Sequence, residues 1–350
     1  MPDLRLPQQF TSPEEEHLAT RRSAGLFDFS FMGCVELRGS GSLACLHRLQ
    51  TRNLSRLGHG RIAYTLLLRQ DGTVLNDATV WCFGDDHYAL FIGRRSDLKH
   101  IRQVATEFDV ILTDRSDVHA VIALQGPLAR EIVDGVLDRP APGLSYFGFW
   151  SAKFAGRDCW IARMGYSGES GYELVVPAAD GPLLWQALCR RGDAQGMAEC
   201  GFAAMNSLRI EAGHVLFSNE LAIPVTPFEL GFSRLIDPYH HDFIGLSALR
   251  RARWSSPRRR LVGLMPDVAR DAGLIMPESP ADFQNAEGQL TSTCFSPLLQ
   301  RWIGMGYVNA AILPEGYRPG YRLRLANGVP AIVVRMPFYD PGKRIPRSDA

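Results

Sequence analysis

The most regular stretch of the chain runs from Ile62 to Gly93, "IAYTLLLRQDGTVLNDATVWCFGDDHYALFIG". Apolar runs alternate there with D-G and G-D-D turns, which predicts a three-stranded antiparallel meander. Before it, "TSPEEEHLATRRSAG" has helix punctuation: Ser12 as cap, Pro13 in the first position, Glu15 closing a capping box and Gly25 as the stop. "CVELRGSGS" predicts a strand and turn, and "LACLHRLQ" an amphipathic helix. After the meander come a helix from about Ser96, a strand "DVILTD", and "HAVIALQGPLAREIVDGVL" as strand, turn and helix. "AKFAG" and "DCWIARMG" form a hairpin, and "GPLLWQALCRRG" and "AAMNSLRIEAG" are helices, the second ending at Gly213. "TPFE" reads as a second capping box, with Thr226 as cap and Glu229 third.

From about Leu261 the pattern changes to short strands separated by turns and prolines, "LVGLM", "QLTSTCF", "IGMGYV", "YRLRLANG" and "VPAIVVRMPFYD". This predicts a C-terminal all-β module. Strands, then helices, then a β module make the fold class α+β. The dinucleotide fingerprint G-x-G-x-x-G is missing from every strand-to-helix turn, which argues against a nicotinamide or flavin fold.

Composition narrows the function classes. Of 350 residues, 46% are apolar, enough for a full core, and 38 basic groups against 37 acidic ones leave a formal charge of +1. That balance argues against a dedicated nucleic-acid or membrane-surface protein. The basic run "RRARWSSPRRR" (Arg250 to Arg260) reads as a solvated linker between domains. Seven cysteines are scattered without a C-x-x-C and read as reduced core thiols. The N-terminus lacks an apolar signal core, and no run reaches the ~18 apolar residues of a membrane span. The expectation is a soluble, cytoplasmic protein. His240 and His241 are adjacent, with no third ligand at metal spacing, and read as surface or lobe-contact residues; no metal site is expected.

"RMGYSGESGYELVVP", Arg163 to Pro177, puts three glycines, two tyrosines and two glutamates directly before an apolar strand. It is neither a phosphate loop nor a hydrolase elbow. The segment either presents Tyr166, Glu169, Tyr172 or Glu173 to a ligand or is an ornate turn.

Ten stretches in one order carry a family resemblance: "RRSAGLFDFSFM", "VELRGSGS", "AYTLLLRQDGTVLNDATV", "IALQGP", "RMGYSGESGYEL", "LRIEAG", "TPFELG", "FIGLSAL", "FSPLL" and "FYDPGKR". Together they resemble the aminomethyltransferase (glycine cleavage T-protein) family, which includes tetrahydrofolate-dependent demethylases. The resemblance implies a three-lobed ring of two α+β lobes and a C-terminal β-barrel around a folate channel. Its lobes would be residues 1–34 with 119–222, residues 35–118 with 223–255, and residues 256–350. Tetrahydrofolate is the implied cofactor, and the implied partners are a small aminomethyl or methyl donor and a lipoyl carrier protein.

By the same resemblance the Tyr166 loop forms one side of the pterin cavity, with contacts from Tyr166 and Glu173. A carboxylate offers two acceptors to adjacent pterin N–H donors, and Tyr64, Tyr146 and Tyr166 offer aromatic faces. Asp77, thirteen residues after Tyr64, stands at the interval of the family's catalytic aspartate. A fixed carboxylate there offsets positive charge on a reacting amine or moves its proton. Read without the family, Asp77 is a turn or strand-edge residue, and Glu173 is equally a solvent-facing residue or a ligand-facing one. Arg209 is expected either at the folate's carboxylate tail or packing its helix between lobes, and Glu211 is expected to pair locally or cap a neighbouring chain segment.

The chain departs from the T-protein pattern in several places. It has Asn76-Asp77 for two acids, Ala204-Met205-Asn206 for A-R-D and Phe31 for a histidine. An insertion of about four residues stands between Trp185 and Asn206, and most of the segment before the first helix is lacking. The N-D pair and Asn206 are shared with the demethylases, whereas the Tyr166 loop is of the aminomethyl type. The implied function is transfer of an aminomethyl- or N-methyl-derived carbon to tetrahydrofolate. The alternatives are an S- or O-demethylase and a non-enzymatic folate-binding factor, whose K-G-C-Y-x-G-Q motif this chain lacks.

Overall fold

The structure is a computed structural model, and it describes residues 6–252, 257–270, 287–313, 319–326 and 328–348. Three sheets organise it. The first is six-stranded, in the order β11 (Ala198–Glu199), β1 (Gly25–Asp28), β7 (His119–Gln125), β10 (Gly171–Pro177), β9 (Arg157–Ala162), β8 (Phe149–Phe154). All its pairings are antiparallel except β1 with β11. The second runs β3 (Arg61–Leu68), β4 (Val74–Gly84), β5 (His87–Ile92), β2 (Gly33–Arg38), β6 (Ile111–Asp114), and contains the expected meander.

The third sheet runs β13 (Gly288–Ser296), β14 (Arg301–Asn309), β12 (Arg259–Pro266), β16 (Pro330–Val334), β15 (Arg322–Arg324). Its edges meet: Gly288 bridges to Leu325, and Ala326 N donates to Gly288 O at 3.0 Å. Closure of this kind removes the open strand edges, as in a barrel. The class is α+β, as expected from the pattern.

Helix α1 (Pro13–Arg22) begins as read, with Ser12 Oγ accepting from Glu15 N at 3.2 Å. The reciprocal half of the box belongs to another residue: buried Glu16, not Glu15, accepts from the N–H groups of Phe10, Thr11 and Gly201. Gly25 is not the stop. The helix ends at Ser23, and Gly25 opens β1, paired with both Gln125 and Ala198. The Thr226–Glu229 box forms, with Thr226 N donating to Glu229 Oε2 at 2.7 Å, but it closes a run of turns and not an α-helix. The run from Arg250 to Arg260 lies partly outside the described residues. At its ends Arg250 belongs to α7 (Leu246–Ala252), and Arg259 pairs with Glu229 at 3.2 Å from β12.

Between the first two sheets lies a shared apolar layer. Phe27, Ala123, Ala162 and Val175 enter it from one side, Ile62, Trp81 and Phe91 from the other, and Ala204 and Leu208 of α6 (Phe202–Glu211) close one end. Ile210 of α6 in turn packs on Ile303 and Met305 of the barrel. All seven cysteines are free, five of them buried. Among the described residues, no helix is long and apolar enough to cross a membrane.

Candidate active site

Strand alternation decides where the two singled-out carboxylates point. On β4, Ala78, Val80 and Cys82 enter the core behind the second sheet, so Asp77, Thr79 and Trp81 take the opposite face. Trp81 lies in the layer shared with the first sheet. On β10, Tyr172, Leu174 and Val176 enter the far core and Val175 enters the shared layer, which puts Glu173 on the shared side. Asp77 and Glu173 therefore face one layer from opposite sheets.

Tyr64, on β3, donates its Oη to Asp77 Oδ2 at 3.0 Å, and its ring meets Phe232 edge-on at 6.3 Å. Burial pushes the Asp77 carboxyl above the usual carboxylate range, and the Tyr64 bond and the Arg94 charge oppose it. Burial and the neighbouring carboxylate push the Tyr64 phenol far up, so it remains a donor. Tyr64, Asp77, Tyr146 and Tyr166 are each half-buried.

Glu173 is 4% exposed and, among the described residues, has no hydrogen-bond or ion-pair partner. Burial alone raises its carboxyl to about 7. Tyr146 is its neighbour in charge: burial raises the phenol, Arg347 and Arg163 oppose, and Glu173 adds to the rise. Tyr166 donates its Oη to Val215 O and stacks on His214 with 5.4 Å between ring centroids. Burial pushes that imidazole down to about 3, so it is neutral.

The turn chemistry of the Tyr166 loop has a mechanical reason. The Gln125 amide occupies the space where side chains at Gly165 and Gly171 would project, and any Cβ there would collide with it. Ser167 Oγ donates to Gln125 Oε1 at 2.9 Å, and Gln125 Nε2 donates to Met164 O at 3.2 Å. Glu169 is anchored to Arg21 at 2.9 Å, and Tyr172 is buried in the first sheet's far core. Of the four polar tips, two fix the loop and two, Tyr166 and Glu173, face inward.

Arg209 takes the packing alternative. It is fully buried, and its Nε, Nη1 and Nη2 donate to Asn206 Oδ1 (2.9 Å), His214 O (2.9 Å), Glu220 Oε2 (2.9 Å) and Ser292 Oγ (2.7 Å). Four of its five N–H groups are thus committed to protein acceptors, which leaves little of the fork for a ligand carboxylate. Sequence reasoning missed the partner Glu220, which also accepts from Thr291 Oγ1 at 2.7 Å. Glu211 pairs with groups far away in sequence rather than locally: Arg21 reaches it at 2.8 Å and His17 at 3.1 Å, both from α1.

Two departures from the family pattern are engaged by other protein groups. Asn76 points to the back of the second sheet and donates to Asp97 Oδ2 at 3.0 Å, and Asn206 supports Arg209. His240 bonds its neighbour Asp237 at 2.8 Å, and the His241 ring lies tilted against that of His47, 4.6 Å between centroids.

Two sheets facing across a shared apolar layer, with a closed β module beside them, define the class as an α+β protein with a C-terminal barrel. Comparison with known proteins gives the particular family. The sequence matches the GCVT N-terminal domain over residues 3–239 and the glycine cleavage T-protein C-terminal barrel domain over residues 259–340. It is 36% identical to an aminomethyltransferase of Streptomyces avermitilis, over 95% of this chain and 91% of that one. It is 35% identical to one of Thermosynechococcus vestitus, over 99% and 92%. The solved glycine cleavage system aminomethyltransferase T of Bartonella henselae superposes with a TM-score of 0.82 at 26% identity, covering 96% of this chain and 92% of that chain. The chain belongs to the glycine cleavage T-protein (aminomethyltransferase) family.

Proposed function

We propose that this protein transfers a one-carbon unit to tetrahydrofolate, with the pteridine seated between Glu173 and Asp77. The observation that carries the reading is the buried, unpartnered Glu173 carboxylate, on the same layer as Asp77. A buried carboxylate without a partner is costly, and adjacent ring N–H and amino donors of a pterin satisfy both its oxygens by charge-assisted bonds. Tyr146 and Tyr166 supply aromatic faces beside it.

Tetrahydrofolate supplies the nucleophilic nitrogens that accept the carbon. Asp77, held by Tyr64, offsets the positive charge that develops on the reacting amine, an effect worth several kcal/mol in a dry site. With an S-aminomethyl donor the products besides the folate are a thiol and ammonia. The two protons displaced from the acceptor nitrogens complete both, so no oxidant is required. Arg209 acts at one remove, holding the segment whose Val215 carbonyl receives Tyr166.

A lipoyl carrier protein is one vehicle for such a donor, and a free small molecule is the other. Because Asn76 and Asn206 face Asp97 and Arg209, the two residues shared with the demethylases carry no weight on the donor. The test is mass analysis of the folate after incubation with tetrahydrofolate and a panel of donors: methylated amines, sulfonium compounds, aryl ethers and an aminomethyl-loaded lipoyl carrier protein. Methylene-tetrahydrofolate is the expected product; methyl-tetrahydrofolate selects the demethylase alternative. A protein that neither binds tetrahydrofolate nor alters it refutes both.

A further inference from the structure

Helix α1 sends inward a charged side chain that the proposed chemistry leaves unused. His17 and Arg21 stand one turn apart on α1, and both reach the Glu211 carboxylate of α6. Arg21 extends further. Its Nη1 donates to Ser167 O and to Glu169 Oε1, each at 2.9 Å, while Nη2 and Nε donate to Glu211 Oε2 at 2.8 and 3.2 Å. The side chain is 4% exposed, and its Cζ lies 4.0 Å from the centroid of the Tyr339 ring.

These contacts fall at the apex of the Tyr166 loop. Ser167 and Glu169 flank Gly168, whose φ of +86° favours glycine and where a Cβ would stand 2.9 Å from Ala212 Cβ, at the end of α6. The guanidinium thus grips the apex on both sides of the point where it rests on α6. Glu211 links the same fork to the C-terminal module: Ser296 Oγ donates to Glu211 Oε1, and Phe338 N and Tyr339 N donate to Glu211 O at 2.8 and 2.9 Å. Four of the five N–H groups of Arg21 are engaged in this way. A Lys ammonium, a compact point charge, cannot meet the same acceptors from one position.

Tyr166 and Glu173 depend on the apex unequally. Glu173 stands within β10, paired with Ala123 on one side and Ala162 on the other, so the sheet holds it. Tyr166 immediately precedes the apex and lies outside every strand. Resting on the reading above, we propose that Arg21 is a positioning residue for the reaction: through Ser167 and Glu169 it sets the apex so that the Tyr166 ring meets the folate, without touching the ligand itself.

The experiment is calorimetric titration with tetrahydrofolate, with urea unfolding of each variant beside it. Arg21→Lys preserves the charge of the buried cluster, and Glu169→Ala leaves Arg21 its Glu211 partner; should the first fail to fold, the second decides alone. Each weakens tetrahydrofolate by about three- to tenfold, the scale of one aromatic face. Glu169→Gln, which still offers an oxygen to Nη1, keeps most of the affinity. The loss from Glu169→Ala combines less than additively with that from Tyr166→Leu, and additively with that from Glu173→Gln. A merely structural role predicts neither pattern, since it lowers unfolding stability and leaves the affinity of the folded protein alone. Folded variants that bind tetrahydrofolate as the unaltered protein does, or a loss fully additive with Tyr166→Leu, overturn the assignment. Failure of the unaltered protein to bind tetrahydrofolate refutes the parent reading instead, and the calorimeter separates the two.

Discussion

Tyr64 Oη lies 3.0 Å from Asp77 Oδ2, and the bond favours the ionised carboxylate against the burial that opposes it. Removing the hydroxyl leaves burial less opposed, so the Asp77 pKa climbs further. Since the ionised form does the work, activity on the acid side is then lost at a higher pH. For Tyr64→Phe we expect the acid limb of the kcat/KM profile to move up by about 0.5–1 unit. A limb that stays in place would mean that a different group sets it.

Asp77→Asn keeps the shape of the side chain and removes its charge. Because Asp77 takes no part in the core behind its sheet, the fold and tetrahydrofolate binding are expected to survive. Turnover should fall by at least ~10²-fold with tetrahydrofolate affinity unchanged. Single-turnover kinetics and a binding titration on the same preparation check both halves, and a fully active variant removes Asp77 from the chemistry.

Arg209 and Glu220 form a fully buried pair 2.9 Å apart that ties α6 to the barrel through Ser292 and Thr291. Loss of either partner strands the other's charge in the interior, so Arg209→Met and Glu220→Gln should each cost about 3–5 kcal/mol in urea unfolding. The double variant should cost clearly less than the sum, since it strands no charge. Additive losses would show that the pair is not coupled.

Local rules were legible in the chain wherever the partner is near in sequence. Alternation in "TLLLRQDGTVLNDATVWCF" gave the meander, and hence the face that Asp77 takes. Ser12 and Glu15 gave the start of α1, but its end was misread, because Gly25 is claimed by strand partners 100 and 173 positions away, Gln125 and Ala198. The Thr226 box was real, and it opens turns and no α-helix: the motif fixes a first turn, and only packing extends it. Long-range pairing was silent. Nothing around Arg209 announces Glu220, and the N-D pair does not reveal that Asn76 turns away to Asp97. The Tyr166 loop was conspicuous in composition, yet its sorting into anchors and inward-facing groups depends on Gln125 and Arg21, both remote in the sequence.

Glu173 offers a test in which function and stability pull in opposite directions. Its carboxyl titrates near 7 in the fold, against an ordinary value of 4.5. Below about pH 4.5 both folded and unfolded chains hold the proton and the residue is neutral in effect. As the pH rises toward 7 the unfolded chain ionises first, which favours unfolding, and above 7 the penalty is constant. A gap of this size amounts to roughly 3 kcal/mol at most. Glu173→Gln should therefore stabilise the ligand-free protein by up to about 3 kcal/mol at pH 8 and hardly at all near pH 4.5, as read by urea unfolding. The same change should weaken tetrahydrofolate by about 2–3 kcal/mol, through loss of a buried charge-assisted acceptor. In the unaltered protein that affinity should itself fall as the pH drops below 7, because a protonated carboxyl cannot receive two N–H groups. A Gln variant no more stable than its parent at pH 8 would mean that Glu173 already has a partner in the empty protein, and the pterin-binding argument would lose its main support.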